Sequence, residues 1–261
     1  MDLQIQQRVA LVCGGGSGLG QAIALSLAQE GVKVAVTGRN PEKLAQTVEF
    51  ISRQGGTAQA WPLDLAAPDT FDETLEAIRQ RWGDIDILVN NSGGPPPAQA
   101  QGTDIALWQQ QFTVMVASLI QLTDKLLPAM RRRGWGRIIT STSSGVIAPI
   151  PNLALSNALR MSLLGWSKTL ASEVAADGVT VNVMVPGRIA TARVGQLDAL
   201  KAQRENSSAE AVAEKSRQSI PAGRYGEPQE YGATAAFLAS QPASYITGAV
   251  IRVDGGLISS L

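Results

Sequence analysis

"RVALVCGGGSGLGQAIALSLAQEG" (8–31) reads as three pieces in succession. The apolar run at 8–13 has the length and composition of a strand buried on both faces. From Leu19 onward, apolar side chains recur at Leu19, Ile23 and Leu27, the four-residue spacing of one helix face. Between them "CGGGSGLG" (13–20) supplies a turn. Glycines there permit a tight reversal, let backbone N–H groups approach an anion and place that anion at a helix N-terminus. The candidate residues are Gly14, Ser17, Gly18, Leu19 and Gly20. Their spacing departs from the literal G-x-G-x-x-G, so a glycine turn that holds no nucleotide stays open as the alternative.

The same alternation continues along the chain. Further β-rich runs stand at 33–37, 58–63, 86–90, 137–142, 179–185 and 249–253, separated by helical patterns. Strand–helix alternation of this kind builds right-handed βαβ units. The expected fold is therefore α/β: a Rossmann-type, doubly wound, seven-stranded parallel sheet with helices on both faces, in a single domain over 1–261. "GGPPPAQAQG" (93–102) follows a strand and reads as a site loop. The polar segment 191–223 exceeds an ordinary connection and reads as a candidate substrate lid or a short helical excursion.

Composition narrows the chemistry. Hydrophobic residues make up 44% and charged residues 17% of the 261, which suits a globular chain with a large core. Lys+Arg and Asp+Glu are both 22, so no net field draws the chain to nucleic acid or anionic lipid. The densest basic run, Arg131-Arg132-Arg133, precedes Gly134 and reads as a helix end. The single cysteine, Cys13, excludes an internal disulfide, fits a reducing cytoplasm and reads as a small buried residue. No apolar run approaches 18 residues, so neither a leader nor a membrane span is expected. The absence of histidine removes imidazole acid–base chemistry and most zinc sites.

Further motifs stand at the strand ends in order: Asp64-Leu65, "NNSGG" (90–94), "STSSG" (141–145), "PGRIAT" (186–191) and "ITGAVIRVDGG" (246–256). With Gly14-x-x-x-Gly18-x-Gly20, they resemble the short-chain dehydrogenase/reductase family over nearly the full chain. "PAGRYGEP" (221–228) and "ASYITG" (243–248) are similar to its 3-oxoacyl-carrier-protein reductase-like members. The resemblance implies a bound dinucleotide, with Asp64 and Leu65 at the adenine, Asn90 at the ribose region, and Ile189 and Thr191 at the nicotinamide carboxamide and phosphates. It also implies a small-molecule carbonyl or alcohol substrate, a homodimer or homotetramer, and a packing role for Tyr245. An NAD-preferring site carries an acid after the second strand. Here "VTGRNPEKL" places Arg39 there, a partner for a 2′-phosphate, which favours NADP(H) over NAD(H).

The catalytic positions depart from the family. There a serine polarises the substrate oxygen, a tyrosine thirteen residues later handles the proton, and a lysine four residues further lowers the tyrosine pKa. Ser143 matches, but Ser156 stands for the tyrosine, Arg160 for the lysine, and Met115 for the supporting asparagine. Tyr225, Tyr231 and Tyr245 all follow the sixth strand and do not restore the pattern. A phenol needs its pKa lowered by ~3 units from ~10, or ~4 kcal/mol, which a nearby cation can supply. An aliphatic hydroxyl is a far weaker acid, and an arginine with pKa above ~12 is no base.

Two functions follow as expectations. One is hydride transfer between NADP(H) and a carbonyl or alcohol substrate, including the 3-oxoacyl type, by an atypical mechanism. In it Ser143 polarises the carbonyl, Ser156 relays a proton from water, and Arg160 holds the cofactor or stabilises negative charge. The alternative is a catalytically inactive dinucleotide-binding sensor or scaffold.

Overall fold

The alternating runs form the strands and helices their patterning predicts, and the structure, a computed structural model, describes residues 1–260. The strands are β1 (Val9–Val12), β2 (Lys33–Gly38), β3 (Thr57–Pro62), β4 (Ile87–Asn90), β5 (Gly136–Ser141), β6 (Val179–Pro186) and β7 (Val250–Val253). Each end falls within one residue of its expected position. They form one seven-stranded sheet in the order β3-β2-β1-β4-β5-β6-β7, and every neighbouring pair is parallel. The order reverses between β1 and β4, the point at which an open α/β sheet leaves a crevice beyond its carboxyl ends.

Helices cover both faces. One core joins the sheet to α1 (Gly18–Gln29), α2 (Pro41–Arg53) and α9 (Pro228–Leu238), through side chains such as Ile23, Leu44 and Tyr231. The other joins it to α3 (Phe71–Trp82), α5 (Ser118–Arg133) and α6 (Ala154–Val174), through Phe71, Leu122 and Leu163. The central strands β1, β4, β5 and β6 are buried throughout, whereas the edge strands β3 and β7 are partly exposed. The continuous apolar runs therefore belong to the middle of the sheet, where helices cover both faces.

Local chemistry sets the helix ends. Asn40 caps α2 by accepting the Lys43 N–H, and Asp104 caps α4 (Ile105–Phe112) through the Ala106 N–H. Helix α5 ends at Gly134 in the left-handed region, with Arg131, Arg132 and Arg133 in its last turn. Between α4 and α5 one π turn spans Thr113–Ala117 and buries Met115. The stretch Ile105–Arg133 is long and apolar enough to span a membrane by length and hydropathy. Here Leu119, Leu122 and Met130 from this stretch are buried in the protein core.

Segment 191–223 contains α7 (Ala192–Arg204) and α8 (Ala209–Gln218). A partly buried polar network ties them to the exit of β6. Arg188 donates to Asp198 of α7 at 2.5 Å and to the Ser216 hydroxyl of α8 at 2.9 Å. The Tyr225 hydroxyl donates to the other Asp198 oxygen at 2.8 Å.

Candidate active site

The glycine turn is built by backbone geometry. Gly14 and Gly18 adopt φ of +62° and +56°, the left-handed region that side chains disfavour. A Cβ on Gly20 would lie 2.2 Å from the Gly14 carbonyl oxygen, so only glycine lets the helix start so close to the turn. Ser17 occupies the N-cap of α1 but makes no side-chain cap bond, leaving its exposed hydroxyl and the first N–H groups of α1 open to an anion. Thr191 lies across this turn, its methyl 3.7 Å from where a Gly18 Cβ would sit, and its hydroxyl caps α7. A pyrophosphate fits this cradle, bounded by the N-terminus of α1 and by Thr191.

Neighbouring asparagines divide two tasks. Asn91 donates to the Cys13 carbonyl at 3.1 Å and so pins the loop after β4 to the glycine turn. Asn90, expected at the ribose, is fully buried and donates to the Thr123 hydroxyl of α5 at 3.1 Å. Successive strand residues point to opposite faces, so Asn90 faces the helix layer and supports the site only from behind. Leu65 is also buried, and its carbonyl accepts the Ser118 hydroxyl. Asp64 instead lines an open groove of about 490 Å³ with Arg39, Gly38 and Trp61. Arg39 is exposed and in no ion pair among the described residues. Ile189 is buried behind a bridge to Gly226, which sets the backbone of 188–190.

At the catalytic positions, Ser143 is half-buried and its hydroxyl accepts the Gly145 N–H at 3.2 Å. Helix α6 begins directly against this turn, since a Cβ on Gly145 would meet Asn157 Oδ1 at 2.3 Å. Ser156, adjacent to Asn157, is 7% exposed. Arg160 lies one turn along α6 on the same face and is buried. Its Nη1 donates to the Ser141 carbonyl at 3.2 Å, and its Nη2 donates to the Ser92 and Gly93 carbonyls at 3.1 and 3.3 Å. Three of its five N–H donors therefore hold the carboxyl ends of β4 and β5 together. Burial pushes the guanidinium pKa down to about 10, with the Tyr231 phenol opposing the shift and Arg193 adding to it. It still carries its charge at neutral pH.

Sequence reading missed Arg193. From the first turn of α7 it donates to the Pro95 carbonyl at 3.0 Å and lies over Gly94, where a Cβ would be 3.1 Å from Nη2. Loop 92–95 is thus held by Arg160 from α6 and by Arg193 from α7. Only the folding of 191–204 back over the site brings Arg193 there, so no local signal marks it. Tyr245 is a correction in the other direction: it is fully exposed, not packed. Cys13 is buried as expected, and burial raises its thiol pKa to about 12.

Beside Ser143, a cavity of about 490 Å³ runs between the 97 and 144–153 loops and α7. Its walls are largely apolar, including Pro97, Ile150, Leu153, Leu197 and Ile258.

Comparison with known proteins places this geometry among relatives. Residues 14–258 match the family described as enoyl-(acyl carrier protein) reductase. The chain is 34% identical over 257 residues to the 3-oxoacyl-[acyl-carrier-protein] reductase FabG of Salmonella typhimurium, covering 98% of this chain and 99% of that one. It superposes on L-sorbose reductase from Gluconobacter frateurii, solved with NADPH and L-sorbose, with a TM-score of 0.94 at 30% identity over the whole of both chains. A single-residue variant of actinorhodin polyketide ketoreductase, solved with NADPH, gives 0.92 at 30% identity, covering 98% of this chain and 99% of that one.

Proposed function

The chain belongs to the short-chain dehydrogenase/reductase family, and on that premise we propose that it is an NADP(H)-dependent reductase of carbonyl compounds with a rebuilt proton path. It is an oxidoreductase of this family's type, and NADPH-bound structural neighbours share its fold. The observation that carries the cofactor preference is Arg39, exposed in the groove it shares with Asp64 at the end of β2, where an NAD site would present an acid. A guanidinium there matches a 2′-phosphate bidentately.

NADPH supplies the hydride when bound. Gly14, Gly18, Leu19, Gly20 and Thr191 would frame its pyrophosphate, and Asp64 would bound the adenine end, with Leu65 buried behind it. The Ser143 hydroxyl donates a hydrogen bond to the substrate carbonyl oxygen as negative charge develops on it. Ser156 passes a proton from water to that oxygen, since an aliphatic hydroxyl can relay a proton it cannot readily release. Arg160 holds loop 92–93 and Ser141 in position and keeps a buried positive charge one helical turn from Ser156. Loss of a matched general acid lowers the rate by ~10²–10⁴ without abolishing hydride transfer.

The FabG relative supports a 3-oxoacyl-type substrate. Exposed apolar side chains at Ile105, Phe112 and Met161, and at Tyr245 and Val250, support burial of these surfaces in a homodimer or homotetramer. The lone buried thiol supports a cytoplasmic setting. Segment 191–223, tied at its base by the Arg188–Asp198 ion pair, serves as the substrate lid.

The test is consumption of NADPH by the purified protein with a panel of ketones and 3-oxoacyl thioesters. Turnover that Ser143→Ala lowers by at least ~100-fold is expected. NADPH binding without turnover on any substrate would leave the chain a dinucleotide-binding sensor or scaffold, and failure to bind any dinucleotide would reject both readings.

A further inference from the structure

Helix α7 lines the cavity with Leu197, Leu200, Lys201 and Arg204. These positions share one helix face. The face is apolar at its middle and cationic at its C-terminal end. A rise of 1.5 Å per residue places Lys201 about 12 Å and Arg204 about 16 Å along α7 from Arg193, which holds the loop at the reacting end. Arg188 is the third cation on the cavity wall, and no acidic side chain lines it among the described residues. The three cations are not equally engaged. Arg188 is neutralised by Asp198 at 2.5 Å, and Lys201 meets Glu205 only at 3.9 Å on the exposed rim. Arg204 is in no ion pair among the described residues. Leu200, 41% exposed beside them, leaves apolar surface open at the same mouth. An apolar channel ending at two weakly compensated cations selects a ligand of matching polarity.

We infer that the substrate is an anionic amphiphile, whose carbonyl sits at Ser143, whose apolar chain fills the cavity, and whose carboxylate or phosphate meets Lys201 and Arg204 at its mouth. This rests on the reductase reading for the carbonyl end alone. The charge selection belongs to the cavity and is measured without turnover. A neutral sugar or a simple neutral ketone leaves the mouth cations unused. A carboxylate and a phosphate present the same chemistry here, and direct comparison tells them apart.

The experiment is calorimetric binding of decanoate, decyl phosphate and decanamide to the full chain, with and without NADPH. At least one anion is expected to bind about three- to tenfold more tightly than the amide, the range given by one or two partly exposed ion pairs. The tighter anion identifies the headgroup. In Lys201→Ala/Arg204→Ala the difference should fall to within about twofold, and Lys201→Arg/Arg204→Lys should restore it. Raising ionic strength should shrink the difference in the native chain. Equal binding of all three ligands, no binding of any, or a preference that survives the double alanine variant overturns the proposal. NADPH titration in the same samples keeps the two readings apart: cofactor binding without anion selection defeats the substrate class alone.

Discussion

Arg160 reaches Ser141 from one face of the sheet while Tyr231 reaches it from the other. The Arg160 guanidinium donates to the Ser141 carbonyl at 3.2 Å, and the Ser141 and Tyr231 hydroxyls pair at 2.9 Å. Ser141 ends β5, two residues before Ser143, so this clamp sets where the substrate-facing serine stands. The residue at the family's lysine position has thus become a fastener of the sheet's carboxyl edge.

That role makes Arg160 a stability residue. Arg160→Met removes the donor to three carbonyls, of which those of Ser141 and Ser92 are in buried bonds, and each buried orphan costs ~1–3 kcal/mol. Removing the buried charge offsets part of this loss. A net destabilisation of about 2–4 kcal/mol is expected in denaturant unfolding. Ser156→Ala, on the same face, should change stability by less than ~1 kcal/mol. An unchanged midpoint for Arg160→Met would show that other donors reach these carbonyls.

The pH profile follows from the same residue. Burial lowers the Arg160 pKa to about 10, below its unfolded value, so the folded state binds fewer protons only above that pH. The cost of burying the charge is therefore constant from pH 6 to 9 and is relieved only as pH rises through about 10. Turnover should be flat across pH 6–9, because neither Arg160 nor an imidazole titrates there. A resolved ionisation inside that window would reveal a proton donor other than those named.

Cofactor choice turns on Arg39. Arg39→Ala should weaken NADPH binding by ~10–100-fold, the worth of a hydrogen bond to a charged group, and leave NADH within about twofold. Fluorescence of Trp61, in the same groove, offers a direct titration. Parallel losses for both cofactors would place Arg39 at a phosphate they share.

The turn itself is intolerant of volume. Gly20→Ala drives a methyl to 2.2 Å from the Gly14 carbonyl, so the turn must open. A loss of dinucleotide binding and of about 1–3 kcal/mol in stability is expected, measured by calorimetry and by unfolding.

Cys13 should be inert. Burial raises its thiol pKa to about 12, so almost no thiolate exists at pH 8. A disulfide reagent should label it only after unfolding. Labelling of the native chain at the unfolded rate would mean that β1 opens to solvent.

The order of strands and helices was legible in the chain, because continuous apolar runs and four-residue spacing are local consequences of burial on two faces or one. The glycine turn and the missing tyrosine and lysine were legible for the same reason, since residue type and spacing carry them. Tertiary structure decided where the polar side chains go. Asn90 and Asn91 are adjacent in sequence, yet strand alternation sends one into the helix layer and the other to the glycine turn. Arg160 finds partners 19 and 68 residues away, and Arg193 finds one 98 residues away. Tyr245, which family pattern placed in packing, packs against nothing within its own chain. Each outcome depends on which segments meet at the carboxyl edge of the sheet, and periodicity along the chain holds no record of such meetings.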